Sequence, residues 1–208
     1  MVLAPGYAPL SFTAPEPGSY ALPAMGSAAD GAVIDSEGNS AKLHDFLGDK
    51  PTVLSFIFTT CDDVNGCPLA TYVMRSVQDA LQSDPATADK ARLVSFSFDP
   101  VFDTPNVIDA YGSQFRAGDF DWQFLTTEGA TTLDPILNAY GQWVIRDYDE
   151  NGEYMGTMSH ILRVFLIDES RQIRNIYSTS FLHADTVAND VRSLLMEATA
   201  DPSADTGS

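Results

Sequence analysis

The chain has 208 residues, with 29 acidic and 11 basic side chains, so its formal net charge is −18. This charge repels phosphate groups, which argues against nucleic acid and against an anionic membrane surface as partners. The hydrophobic content of 44% is too high for a disordered acidic chain, so a folded core is expected. The acids are 22 Asp and 7 Glu. Most of them are expected to keep the protein soluble.

The two ends of the chain have the composition of linkers. Residues 1–19 contain four prolines among Ala, Gly and Ser, which predicts a Pro-rich extended linker. Residues 20–199 are predicted to form one folded domain, and residues 200–208 a flexible tail. No run of 18 apolar residues is present, so no direct membrane span is expected. Either the protein is cytosolic, or a signal or anchor was removed before this numbering begins.

Between these ends, hydrophobic periodicity predicts alternating strands and helices. The predicted strands are residues 31–39 (with a turn at 36–39), 52–58, 92–98, 122–126, 161–168 and 172–177. Predicted helices cover the apolar positions of residues 69–81, 105–115, 133–140 and 187–195. This order predicts an α/β fold in which helices flank a single sheet, with an N-terminal β-hairpin. Residues 146–159 are polar and Gly-rich, which predicts a loop or hairpin inserted before the strand that His160 opens.

Both cysteines of the chain lie in one loop, between a predicted strand and a predicted helix. Pro68 fits the first turn of that helix, which puts Cys67 at the helix N-terminus, where the helix dipole favours a thiolate. Five residues, Asp62 to Gly66, separate Cys67 from Cys61. The two sulfurs are therefore expected to form a disulfide, structural or redox-active, or to bind one metal ion together.

Acidic residues flank the first cysteine. The charges of Asp62 and Asp63 are expected to raise the pKa of the Cys61 thiol, which opposes free thiolate reactivity. A bound cation would reverse that effect, so the two acids favour a metal site over a reactive nucleophile. The alternative is that both acids simply solvate the loop.

One of the three histidines has a position that suits a metal ligand. His160 precedes the strand 161–168, which is expected to lie beside the strand 52–58 and so to bring His160 near the thiols. His44 and His183 are expected at the surface, or at a helix cap for His183. Two thiolates and one imidazole suit Cu(I), can hold Cu(II), and can also hold zinc. Met158, a soft residue near His160 in the sequence, is a candidate to assist copper.

Three segments in the same order resemble the Sco/SenC family of copper-binding proteins of the thioredoxin superfamily. The first is Val53–Cys61 leading to Cys67-Pro68, the second is Ser95–Pro105, and the third is Ser159-His160 running into Phe165–Asp168. The resemblance covers about residues 20–198 and implies a thioredoxin-like fold. It implies that copper is the cofactor, with Cys61, Cys67 and His160 as its ligands. It also implies that Asp99 supports the site or docks a partner.

The resemblance implies a copper chaperone that delivers copper to an acceptor protein, such as a subunit of cytochrome c oxidase, with the redox state of the cysteines controlling delivery. A protein that reduces the thiols is a further expected partner. This chain departs from the family in one respect, since the family usually has three residues between the cysteines. The longer loop either tunes copper binding or favours disulfide chemistry.

The alternative is an enzyme, a thiol–disulfide reductase or thiol peroxidase that uses Cys61 and Cys67. That hypothesis predicts a low pKa for one thiol, and the helix N-terminus points to Cys67. Thioredoxin-type reductases place a cis-proline opposite their cysteines, whereas the corresponding segment here, residues 157–160, has no proline. A chaperone is therefore favoured over an enzyme, and a third hypothesis treats the cysteines only as a staple in a binding module.

The expected compartment follows from this chemistry. An oxidisable cysteine pair in a copper protein fits a periplasmic or other extracytoplasmic location. Part of the negative charge is expected to form an acidic rim around the site that attracts a cation or a basic partner. The acids of this rim are Asp62, Asp63, Asp99, Asp103, Asp147, Asp149, Glu150 and Glu153.

Overall fold

The strand β3 (Thr52–Ile57) forms the centre of the molecule because five of its six residues are apolar or β-branched and all six are buried. It pairs in parallel with β4 (Arg92–Ser97) on one side. On its other side it pairs in antiparallel with β8 (Arg163–Ile167). A strand covered on both faces and both edges reads as a continuous hydrophobic run, as the sequence predicts.

The computed structural model describes residues 2–200, except for the side chains of residues 154, 156 and 200. The other strands are β1 (Ala32–Asp35), β2 (Ser40–Lys42), β5 (Trp122–Thr126), β6 (Val144–Tyr148), β7 (Tyr154–His160) and β9 (Ile173–Ser178). The helices are α1 (Cys67–Gln82), α2 (Pro105–Gly112), α3 (Ala130–Ala139) and α4 (Ala184–Ala200). Short 3-10 turns cover Pro5–Tyr7 and Leu43–Phe46.

Seven strands form one sheet in the order β2-β1-β5-β4-β3-β8-β9. The strands β3, β4 and β5 run in parallel, and every other neighbouring pair in this sheet is antiparallel. The strands β6 and β7 form a separate two-stranded hairpin. Helix α1 packs against α4, and α2 packs against β5. The predicted α/β arrangement, including the N-terminal hairpin β1–β2 and the inserted hairpin, is therefore confirmed.

One element boundary differs from the sequence prediction in a way that concerns the site. His160 does not open the strand 161–168, because it is the last residue of β7 and pairs with Val144 of β6. The buried strand itself begins only at Arg163. The apolar residues Ile161 and Leu162 made the two segments look continuous, although a break in hydrogen bonding separates them.

The segment that precedes β1 lies along the helices. Ala4 and Gly6 are buried, and the 3-10 turn Pro5–Tyr7 packs against α1. The division into a linker, a domain and a tail stays a prediction, and residues 201–208 of that tail lie outside the described residues. None of the described helices combines the length and the apolar character that crossing a membrane requires.

We predict that Leu54→Ala lowers the free energy of unfolding by about 3 kcal/mol, because Leu54 is fully buried in the middle of β3. Chemical denaturation measures the change. The control is Val101→Ala at a side chain that is 81% exposed, where a change below about 0.5 kcal/mol is expected. Equal effects of both variants would show that β3 is not the centre of the core.

Candidate metal centre

The two cysteines leave the sheet at the end of β3. Cys61 lies four residues after Ile57 and is half-buried, whereas Cys67 is the first residue of α1 and only 1% exposed. Pro68 occupies the first turn of α1, as the sequence predicts. Both thiols are free in the structure.

The hairpin β6–β7 brings His160 to these thiols. Its Nε2 atom lies 3.4 Å from the Sγ atom of Cys67. The three donor atoms, one each from Cys61, Cys67 and His160, all lie within 4.8 Å of one another. The structure thus brings the three predicted ligands together, and a small shift of the side chains would let all three contact one ion of suitable size.

Two aromatic rings hold the imidazole in place. The ring of His160 lies 4.8 Å from the ring of Phe98 and 6.2 Å from the ring of Phe58, measured between centroids. These rings also contact each other, at 5.2 Å. Within the described part of the chain, the buried Nδ1 atom of His160 has no hydrogen-bond partner. The imidazole therefore presents Nε2 to the thiols, and packing rather than a hydrogen bond to Nδ1 fixes its orientation.

A buried carboxylate fixes the chain between β3 and Cys61. Asp103 is fully buried and accepts hydrogen bonds from the Thr59 backbone N–H at 3.0 Å and from the hydroxyl groups of Thr59 and Ser97. Asp103 therefore does not belong to an exposed acidic rim, contrary to the sequence prediction. Its carboxylate instead ties the exit from β3 to the exit from β4, since Ser97 is the last residue of β4.

The other predicted site residues lie around the three central ones. Asp62 and Asp63 are exposed, and the Asp63 carboxylate accepts a hydrogen bond from the Asn65 backbone N–H at 3.0 Å. Asp99 is buried and directly follows Phe98, so it too does not belong to an exposed acidic rim, contrary to the sequence prediction. Met158 is buried and points to the same face of β7 as His160, two residues away. Support of the site or docking of a partner by these four residues stays a prediction.

The thiol electrostatics differ from the sequence expectation. A hydrogen bond with Cys67 lowers the pKa of the Cys61 thiol to about 5, against the opposing effect of burial, and His160 and backbone N–H groups lower it further. Burial raises the pKa of Cys67 well above its ordinary value, and the neighbouring Cys61 adds to this rise. The prediction of Cys67 as the low-pKa thiol is therefore wrong, because burial outweighs the helix dipole.

The net shift of the Cys61 pKa is downward, so any rise caused by the flanking acids is outweighed. Asp62 and Asp63 are exposed, so water screens their charges, while the backbone N–H of Asp63 helps to lower the pKa of Cys61.

The other two histidines serve the fold. His44 Nε2 lies 3.0 Å from the Ala28 carbonyl oxygen, and the buried His183 accepts a hydrogen bond from the Asp185 backbone N–H near the start of α4.

The family model described as SCO1/SenC matches residues 28–196. The chain belongs to the SCO1/SenC family. A search of curated protein sequences finds no match. Among solved structures, 246 chains match this SCO1/SenC chain.

Three of these structures illustrate the likeness. ScoI from Arabidopsis thaliana with copper bound is 20% identical, with a TM-score of 0.69, and the match covers 84% of this chain and 99% of that chain. A SCO1/SenC family lipoprotein from Bacillus anthracis is 24% identical, with a TM-score of 0.66 and coverages of 81% and 95%. BsSco, a member of the Sco family of cytochrome c oxidase assembly proteins in which a disulfide switch was identified, is 19% identical, with a TM-score of 0.64 and coverages of 84% and 96%. These matches confirm the predicted thioredoxin-like fold.

We predict that iodoacetamide alkylates Cys61 at a rate that changes little between neutral and alkaline pH and falls as the pH drops through about 5. Cys67→Ala removes the hydrogen bond that contributes most to this low pKa, so the apparent pKa of Cys61 should rise toward the ordinary value of a cysteine. Mass spectrometry of the alkylated peptides measures both rates. A wild-type rate that titrates near about 8.5, the ordinary pKa of a cysteine, would contradict the expected thiolate.

Asp103→Asn should destabilise the protein by about 1–3 kcal/mol, because the new amide N–H₂ group faces hydroxyl and N–H donors. Burial raises the pKa of Asp103, so the folded state holds this proton more tightly than the unfolded state does. This tighter proton binding stabilises the folded state. The stabilisation is complete below the pKa that Asp103 has in the unfolded chain, and it is lost as the pH rises through the pKa that Asp103 has in the folded protein. The destabilisation by Asn, measured by chemical denaturation, should therefore be larger near pH 4 than at neutral pH.

A matched control for this pH series is Asp134→Asn, which removes one exposed acid at another place in the fold. A destabilisation by Asp103→Asn that grows as the pH rises would show that the buried carboxyl favours its charged form.

Proposed function

We propose that this SCO1/SenC chain binds one copper ion through the sulfurs of Cys61 and Cys67 and the Nε2 atom of His160. The observation that carries the proposal is the convergence of these three donor atoms within 4.8 Å. Two soft thiolates and one imidazole form a donor set that suits Cu(I). The copper bound to the Arabidopsis relative supports the same cargo for this chain.

The site has the accessibility that a transfer protein needs. Cys61 and His160 are half-buried rather than enclosed, so an acceptor protein can reach the copper and replace its ligands one at a time. Exposed apolar side chains lie in the loop after β4 and within or directly next to the β6–β7 hairpin that carries His160. They are Val101, Phe102, Trp143, Ile145 and Ile161. We propose that they contact an acceptor such as a subunit of cytochrome c oxidase, because BsSco belongs to a family of assembly proteins for that enzyme.

The redox state of the cysteines would control transfer. Transfer of two electrons and two protons from Cys61 and Cys67 to a disulfide oxidant, which becomes a dithiol, would form the protein disulfide and consume both sulfur ligands, so copper can stay bound only while the pair is reduced. The disulfide switch identified in BsSco supports this control. A thiol reductant protein would then be needed to restore the binding form.

We place this function outside the cytoplasm. A cysteine pair that must become oxidised suits an oxidising compartment such as the periplasm. A lipoprotein among the relatives supports the same location, because a lipid anchor holds a soluble domain at a membrane surface.

One observation favours a second function, catalysis of thiol–disulfide exchange or peroxide reduction. The half-buried Cys61 has a pKa lowered to about 5 beside a buried Cys67, which is the arrangement of an attacking and a resolving thiol. This alternative requires that the metal-free protein turns over a disulfide or peroxide substrate. Lack of turnover together with tight copper binding would exclude it.

Titration of the reduced protein with Cu(I), in competition with a chromophoric chelator, tests the copper proposal. We expect one equivalent to bind to the wild type, and we expect Cys61→Ala and Cys67→Ala to abolish tight binding. His160→Ala should weaken it and shift the sulfur-to-copper absorption band of the Cu(II) form. His44→Ala is the matched control, because that imidazole contacts the Ala28 carbonyl oxygen and is not part of the cysteine–histidine cluster. Tight binding of copper by the double cysteine variant would overturn the proposal.

A further inference from the structure

N-terminal residues hold the loop between the two cysteines from outside. The side chain of Asn65, in this loop, accepts a hydrogen bond from the Ala4 backbone N–H at 2.7 Å and donates one to the Val2 carbonyl oxygen at 2.9 Å. The Tyr7 hydroxyl donates to the Val64 carbonyl oxygen at 2.5 Å. Three hydrogen bonds therefore link the loop to residues that are about 60 positions away in the sequence.

These N-terminal residues, 2–8, which we call the strap, are themselves fixed to the helices. Gly6 is buried so closely that a Cβ atom there would lie 2.3 Å from the Leu182 carbonyl oxygen. The Tyr7 ring lies 5.0 Å from the ring of Tyr72 on α1. His183 Nε2 donates to the Ala8 carbonyl oxygen at 2.8 Å. The strap is thus attached to the fold by contacts of its own, independently of the cysteine loop.

The contacts of the strap fall in the middle of the cysteine loop. Val64 and Asn65 are the third and fourth of the five residues between the cysteines. The hydrogen bonds that the loop makes within itself, from Asn65 and Gly66 to Asp63, close a local turn but do not attach it to the rest of the fold. A loop of five residues samples more conformations than a shorter one, so an external attachment at its middle narrows the geometries that the loop can adopt.

We propose that Tyr7 and Asn65 are positioning residues for the thiol pair, which act by holding the cysteine loop so that both sulfurs stay close to each other and to His160. This inference rests on the proposed copper function for its consequence, since a held loop binds one ion more tightly than a loose loop does. The geometric part concerns the metal-free protein and can be measured without copper.

The test compares Asn65→Ala and Tyr7→Phe with the wild type. Each variant removes strap hydrogen bonds, and Tyr7→Phe keeps the ring that packs against Tyr72. We expect the Cu(I) dissociation constant to rise by about threefold to tenfold in Tyr7→Phe, which loses one hydrogen bond, and by at least as much in Asn65→Ala, which loses two. We also expect the sulfur-to-copper absorption band of the Cu(II) form to shift, which a loss of stability alone would not cause.

The matched control is Tyr20→Phe. It also removes a tyrosine hydroxyl bond between the N-terminal region and a helix, because the Tyr20 hydroxyl donates to the Asp190 carboxylate of α4 at 2.5 Å. It makes no contact with the cysteine loop in the described structure. We expect a similar loss in the thermal unfolding midpoint but no change in copper affinity or in the absorption band.

A second measurement on metal-free protein separates the strap from the copper function. Equilibration with oxidised dithiothreitol transfers two electrons and two protons from Cys61 and Cys67 to the reagent, and so forms the protein disulfide and reduced dithiothreitol. If the strap holds the sulfurs near each other, both strap variants should form this disulfide less favourably, by about threefold to tenfold in the equilibrium constant.

The outcomes are distinct. A wild type that does not bind Cu(I), combined with strap variants that shift the thiol–disulfide equilibrium, would overturn the copper function and support the strap. Strap variants that match the wild type in the dithiothreitol equilibrium would overturn the strap proposal, whatever the protein binds. An equal shift in Tyr20→Phe would also overturn it, because the effect would then follow from general stability.

Discussion

The pairing of β3 with β4 and β8 is the constraint on which the site depends. All six residues of β3 are buried, on both faces of the sheet, so a shift in register would disrupt the packing of every one of them. The parallel register of β3 with β4 brings Phe58 and Phe98, which follow these strands, into contact at their common end. These two rings form the surface on which His160 rests, so the sheet positions the imidazole as well as the cysteine loop.

Much of this framework could be predicted from the sequence because buried strands leave a strong local signal. The strand predicted at residues 122–126 matches β5 residue for residue. The hairpin that carries His160 left a weak signal, since its alternation is polar and interrupted by glycine. Its pairing of Val144 with His160 is a long-range contact that local periodicity does not report. The apolar residues that follow His160 made the next predicted strand begin too early. His160 was therefore assigned to that strand instead of to the hairpin.

The composition of the site was more predictable than its electrostatics. The expectation that the strand after His160 lies beside β3 put His160 near the cysteines, and the structure confirms that β8 pairs with β3. Which thiol ionises depends on burial, and burial depends on how the loop packs. Cys67 sits at a helix N-terminus, yet it is so deeply buried that the charged form is disfavoured there. Cys61 is instead the thiol with the lowered pKa, because it is closer to solvent and its thiolate accepts the hydrogen bond from Cys67.

The role of the acids also changes once their positions are known. Asp103 looks like one more surface acid in a chain of charge −18, but its carboxylate is buried and joins the ends of β3 and β4. Asp63 accepts a hydrogen bond within the cysteine loop. Both acids therefore shape the backbone on either side of Cys61 through hydrogen bonds. Such short-range contacts act whatever the salt concentration, whereas the attraction of a cation by exposed acids weakens as salt rises, so the geometry around Cys61 does not depend on the net charge of the chain.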